Sequence, residues 1–344
     1  MYISPIKKKI IQALFGLAVL TLVANLIVAK FFKGAIQKKE RDYNSNFINN
    51  QFLQDVHNFG IENSWIKDLS KDESNASVYS YNVDLPKDLP IPVVLSEVYN
   101  SFYLSNVSIQ TVEKKIGGKT VLEISSNNHL DLSAEFNYND NIRRNAGNIG
   151  LIVFDLEKLN TKEITSITDF PQTLVAALIP SKEDLKLSLE LTANRKEMAV
   201  LLNDDIKDAD YKLSPDYSEY RLGIAIRSII SDFSNAIFFV IDDHSKIYQS
   251  SDYNFIQSEF SKRNIKLIPS SSLDVIPDGS RENIKTNFRN LVLKTHIGDN
   301  KLISIYADEF EILKPEILNL IKVGYKFITP SILINLNKSK IPNN

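Results

Sequence analysis

Ala236-Ile-Phe-Phe-Val-Ile-Asp-Asp-His244 is a six-residue apolar run that stops abruptly on two carboxylates and an imidazole. The same form recurs at Ile152-Val-Phe-Asp155, Val200-Leu-Leu-Asn-Asp-Asp205 and Ile305-Tyr-Ala-Asp308. Runs this short and continuously apolar suit strands buried on both faces, as in a parallel sheet covered by helices. Seven of them lie in the C-terminal half, at 149–154, 173–179, 198–202, 236–241, 265–268, 302–306 and 325–328. Helix-start signals fall between them. Ser181-Lys-Glu-Asp184 has a capping-box form, Ser214-Pro215 places a proline at the first helical position, and Ser280 precedes an amphipathic stretch. Strands alternating with helices predict an α/β domain with a parallel sheet, either a distorted barrel or an open doubly wound sheet.

In such folds the C-terminal ends of the strands face the ligand site, so carboxylates there could hold a divalent cation. Asp155, Asp243 and His244 are the candidate metal ligands. Asp is also a favoured N-cap, and a strand end is where the next helix begins. Both roles stand open for each of these residues. His57, His129 and His296 fit surface or capping positions better than ligand positions. Gly117-Gly-Lys-Thr120 echoes the end of a phosphate loop, but Glu113 stands where the first glycine is required. A hairpin turn accounts for the two glycines. No G-x-S-x-G elbow, G-x-G-x-x-G loop or H-E-x-x-H helix occurs.

Composition excludes several classes. Forty basic residues against 42 acidic ones are spread along the chain, so no basic stripe marks a nucleic-acid partner. The absence of cysteine removes disulfides, thiolate nucleophiles and thiolate-bound metals. A hydrophobic fraction of 43% in 344 residues supports a sizeable core.

The N-terminal part reads differently. Ile10 to Ala29 is apolar apart from Gln12, Thr21 and Asn25, with lysines on both sides. A helix of that length spans about 30 Å, which predicts a membrane anchor at 10–32 after a short tail at 1–9. Residues 33–84 are polar and read as a juxtamembrane helix and linker. Residues 85–144 read as a small α+β module: a helix from Val93, a hairpin turning at Gly117-Gly118, and a third strand at His129–Tyr138. The barrel-like domain takes 145–334, and 335–344 is a polar tail.

Residues 147–334 resemble the divergent polysaccharide deacetylase family, relatives of the NodB-type carbohydrate esterases with a distorted (β/α) barrel. The resemblance rests on Phe170-Pro-Gln-Thr-Leu-Val-Ala-Ala-Leu-Ile-Pro180, a helix through Ala193-Asn-Arg195, and Glu197-Met-Ala-Val-Leu-Leu-Asn-Asp204. It implies an Asp and two His residues holding a divalent metal that activates water, with a second carboxylate as base, to remove an acetyl group from a sugar amide. The chain departs from that set. Phe154-Asp155 replaces two aspartates, and Leu201 falls where the strand carries a His. Asn203-Asp204 falls on a Pro-Met pair, and Asp242 to Ile247 keeps only the His of an Asn-Asn-His motif. Pro269 replaces an Asp, and Tyr306-Ala-Asp308 replaces Gly-His-Pro. Asp155 and His244 remain.

The expectation is therefore an envelope-facing, membrane-anchored pseudoenzyme that binds glycan or a protein partner and no nucleic acid. It would sit single-pass in a bacterial inner membrane with its bulk in the periplasm. No cofactor is expected, save a zinc-like divalent ion if activity survives. One alternative is a working deacetylase whose metal site is rebuilt from Asp155, Asp204, Asp243, His244 and Asp308. The other is a membrane-tethered assembly factor working through residues 85–140. For a cleft that binds glycan, Tyr211, Tyr217, Tyr220, Tyr248, Tyr253 and Tyr306 are the aromatic candidates.

Overall fold

The computed structural model describes residues 44–70, 78–103 and 106–338, which fall into two compact units. The first contains most of α1 (Ser45–His57), together with β1 (Ile66–Asp68), β2 (Tyr79–Leu85), α2 (Ile91–Phe102), β3 (Val107–Glu113), β4 (Thr120–Ser126) and β5 (His129–Tyr138). Its five strands form one sheet in the order β1-β2-β5-β4-β3. The hairpin closes as its glycines require, with Gly117 at φ +65°. Phe52 of α1 packs on the sheet against Tyr81 and Phe136, at ring-centroid distances of 5.7 and 6.2 Å. The pairing of β4 with β5 slips between Ile124 and Ser125, which leaves Asp131 opposite no residue. That bulge turns Asp131 inward. Its carboxylate accepts from Ser126 N and Oγ at 2.7 and 2.6 Å and from Ser45 Oγ at 2.6 Å. The stretch read as a juxtamembrane helix and linker thus supplies a helix and two strands. Ser80, Asn82 and Asp84 break up the apolar residues of β2, where only Tyr81, Val83 and Leu85 are buried.

The second unit carries a curled parallel sheet. Seven strands follow the order β10-β9-β8-β7-β6-β12-β11: β6 (Asn148–Phe154), β7 (Val175–Leu178), β8 (Glu197–Leu202), β9 (Ala236–Ile241), β10 (Leu267–Pro269), β11 (Asp274–Val275) and β12 (Asn300–Tyr306). A further short strand, β13 (Lys326–Phe327), pairs with the start of β6. Helices α3 (Thr161–Thr168), α4 (Asp184–Ala193), α5 (Glu219–Asp232), α6 (Tyr253–Ser261), α7 (Arg281–Leu293) and α8 (Ala307–Val323) connect the strands, and α9 (Pro330–Lys338) ends the described chain. The sequence placed seven strands here but missed β11, which has two residues and no apolar run. At Ser214-Pro215 a turn forms instead of a helix, and α5 is capped by Ser218, whose hydroxyl accepts from Arg221 N. Ser280 caps α7 as expected.

Alternate residues of the strands enter two cores. Ile149, Leu151 and Val153 of β6, with Met198, Val200 and Leu202 of β8, pack in the large cluster shared with the helices. Ile152, Ala199, Val175, Ala177, Phe238, Val240 and Leu302 form a second cluster inside the curl, which Leu333 and Ile334 of α9 join. Gly150 makes room for α9. A Cβ there would lie 2.9 Å from both Leu302 and Leu333 and 3.2 Å from Pro330 Cα.

The expected localisation needs correction. Among the described residues no helix is long and apolar enough to cross a membrane, and the 10–32 run that prompted the anchor lies outside them. The structure therefore gives a single-pass placement no support, and it is withdrawn.

At the N-terminal start of β8, Glu197 precedes the inward-facing Ala199. One of its carboxylate oxygens is buried without a partner, and the other accepts from Ser331 Oγ of α9 at 3.2 Å. Burial raises its pKa above the ordinary value of 4.5. The folded state then holds its proton over a pH window where the unfolded chain has lost it, so this group's contribution to stability falls as pH rises through that window. Glu197→Gln is expected to be more stable than the parent protein at pH 7, by about 1 kcal/mol. The gain should shrink toward pH 4. Urea unfolding at both pH values measures this, and an equal or larger gain at pH 4 would refute the assignment.

Candidate functional site

The C-terminal ends of β6, β8, β9 and β12 and the turn between β10 and β11 surround a cavity of about 540 Å³. Its apolar lining is Phe154, Leu201, Leu273 and Val275, and its polar lining includes Asn203, Ser270, Ser271, Ser304 and Tyr306. Phe154 and Leu201 occupy the same strand faces as Ile152 and Ala199, two steps further along, and both pack on the inner core cluster. They floor the cavity because strand alternation turns those positions inward. Neither side chain has a lone pair to offer a metal.

The three residues expected as ligands all reach this cavity: Asp155, Asp243 and His244 line it together with Asp205, Asp242 and Lys158. The two carboxylates are committed to other partners. Asp155 takes a left-handed backbone conformation at the end of β6, φ 63° and ψ 33°, and its carboxylate pairs with Lys158. Asp243 accepts from Ser270 Oγ at 2.5 Å, while its own N–H donates back to that oxygen at 3.2 Å. Hydrogen bonds from Ser270 and Ser271 hold its carboxyl below the ordinary range. Asp242 accepts from the backbone N–H of His244 at 3.0 Å.

Asp204 and Asp308 are not part of this lining. Asp204 accepts the Lys246 backbone N–H, with both oxygens at 3.2 Å. Asp308 sits in the first turn of α8, where a carboxylate favours the helix N-terminus. The five-residue metal site therefore does not assemble: among the described residues no group of three His, Asp or Glu side chains could hold an ion. The donors present do not fit a divalent metal, which needs converging ligands about 2.0–2.6 Å from one point.

Of the tyrosines, Tyr306 alone lines the cavity. It is 40% exposed, whereas Tyr211 is 1% exposed and donates its hydroxyl to Asp232 at 2.6 Å. Burial first, and then the nearby Asp155, raise the Tyr306 pKa, so its phenol stays a neutral donor. Sequence reasoning missed Lys158 and the serines at 270 and 271. Lys158 is three residues beyond Asp155 on a single helical turn, a spacing that a search for strand ends passes over. Ser270-Ser-Ser272 follows an apolar run directly, but it lacks the acidic ending that marked the other strands.

Solved structures with a similar fold include polysaccharide deacetylases and CE4 family pseudoenzymes, the group the sequence resembles. A CE4 family pseudoenzyme from Bacillus anthracis shares 15% identity, with 56% of this chain and 66% of that one covered, at a TM-score of 0.39. The chain thus spans just under two thirds of that protein's length. The catalytic domain of a peptidoglycan N-acetylglucosamine deacetylase from Eubacterium rectale shares 11% identity over 56% of this chain and 93% of that one, at a TM-score of 0.41. A family 4 carbohydrate esterase from Bacillus subtilis shares 12% over 55% and 80%, at 0.37. No protein-family model matches the sequence. No curated protein matches it either. Likeness at this level assigns no residue a role, so the site is argued from its own side chains.

After saturation with zinc and dialysis, the protein is expected to retain well under one ion per chain by elemental analysis. About one ion per chain, lost in His244→Ala, would show that these side chains do hold a metal.

Proposed function

We propose that this chain carries a deacetylase-like fold that binds glycan without hydrolysing it. One observation carries the reading. The cavity at the strand ends is present and edged with amide, hydroxyl and carboxylate groups around an exposed Tyr306. Its floor is Phe154 and Leu201, at positions where the resemblance places an Asp and a His. Sugar sites combine these features: polar groups that pair with ring hydroxyls, and an aromatic face that meets the apolar side of the ring. The solved structures of similar fold include peptidoglycan N-acetylglucosamine deacetylases, which makes N-acetylglucosamine oligomers the first ligands to try. A protein partner would fit the cavity less well, because a concave space of about 540 Å³ is the size of a small-ligand site.

Calorimetric titration of the purified protein with N-acetylglucosamine tetramers and their de-N-acetylated forms tests the reading. Binding of at least one form is expected, and Tyr306→Ala should weaken it roughly tenfold, the scale of one aromatic contact. Acetate release should stay at the uncatalysed rate. Turnover abolished by Asp155→Asn would establish the hydrolase instead, and failure of every oligomer to bind would remove the glycan reading.

A further inference from the structure

The charge of the cavity lining goes further than its shape. Four carboxylates face it, from Asp155, Asp205, Asp242 and Asp243, against the single ammonium of Lys158. That ammonium is spent on Asp155. The other three accept from neutral donors: Asp205 from the Asn203 amide at 3.2 Å, Asp242 from a backbone N–H at 3.0 Å, and Asp243 from the Ser270 hydroxyl at 2.5 Å. Three negative charges thus surround the space without a cation to balance them. No three of the candidate ligands converge on a point among the described residues, so the charge is distributed along the walls. A point ion does not suit that layout, whereas an extended ligand carrying positive charge does.

Two neutral groups of the lining can serve a bound molecule. Ser304 lines it while only 4% exposed, and its hydroxyl makes one long bond of 3.4 Å, to Asp274 O. At the mouth, Tyr306 offers a face that can meet either a sugar ring or an ammonium group.

We propose that the cavity selects amino sugars bearing a free amine over their N-acetylated counterparts. The inference rests on the glycan reading above and names the ligand's charge. A ligand that enters strips water from the three carboxylates. An ammonium offsets that cost by direct pairing, an acetamide leaves most of it standing, and an anion adds repulsion. If hydrolysis is lost, the site holds the chemical form that deacetylation leaves behind.

The experiment compares a fully de-N-acetylated glucosamine tetramer with its fully N-acetylated form, by calorimetry on the whole protein at a pH where the amine is charged. Tetralysine serves as a polycation without a sugar ring. The amine form is expected to bind at least tenfold tighter than the acetylated form and than tetralysine. Raising the salt from 50 to 500 mM should reduce that advantage, as should Asp205→Asn or Asp242→Asn. The Asn variants keep the side-chain shape, and the salt series gives a reading that does not depend on their folding. Equal or tighter binding of the acetylated tetramer would overturn this proposal and leave the glycan reading intact. Tetralysine binding as well as the amine sugar would also overturn it, since charge alone would then account for the affinity. If neither tetramer binds, both readings fail together.

Discussion

The chain between Pro269 and Asp274 constrains everything else in the second unit. β10 and β11 are the two outer strands of the seven-strand path, yet they are consecutive in sequence, joined only by Ser270–Leu273. Five peptide steps reach about 19 Å at most. Seven strands laid flat would put their outer members about 29 Å apart, at ~4.8 Å per step. The sheet cannot be flat, so it must curl until its edges come within the reach of one short turn. The curl creates an inside. Leu273, at the end of the turn, is buried in the inner core cluster with residues from β6, β7, β8, β9 and β12. The reciprocal Ser270–Asp243 bonds fasten the turn to the end of β9. The same serine that begins the turn between the outer strands therefore also sets the position of a cavity carboxylate.

Once the sheet is curled, its two faces are no longer equivalent, and this is what the sequence concealed. Seven of the eight strands were visible as apolar runs, most of them because both faces are buried and each run is continuous. Continuity hides alternation. Nothing in Ile149–Phe154 distinguishes Val153, which meets the helices, from Ile152 and Phe154, which turn inward. The acidic endings were legible as positions, but their fates differ with one-residue shifts. Asp243 enters the cavity, Asp308 lies in a helix's first turn, and Asp204 satisfies a backbone N–H in the loop after β9. β11 left no signal because two residues held between the turn and β12 need little apolar character. In the first unit, β2 was lost for a different reason. Ser80, Asn82 and Asp84 interrupt its apolar residues inside a polar stretch, and only every second side chain from Tyr81 on is buried.

The bulge in that first unit applies the same reasoning at smaller scale. The register slip opposite Ile124 and Ser125 leaves Asp131 unpaired and turns it inward, which a strict period of two would not predict. The buried carboxylate is tolerated because donors from β4 and α1 meet it. Sequence reading placed the strand and missed the bulge, since a bulge changes register without changing residue type.

The floor of the strand-end cavity shows what this fold gains from apolar side chains at positions 154 and 201. An Asp and a His at 154 and 201 would bring polar groups to the edge of an apolar core, and those groups need a metal or other partners to offset their desolvation. Phe154 and Leu201 instead extend the inner cluster by one layer. Burying an aromatic or aliphatic side chain contributes about 1.5–3 kcal/mol when complete, and these two are partly buried. That stabilisation is present with no ligand bound. The carboxylates on the walls carry no such benefit: Asp205 and Asp242 are held only by neighbouring amides, and neither joins a core. Core packing accounts for the floor of this cavity but not for its walls, and the unbalanced charge on those walls is the feature that folding alone does not require.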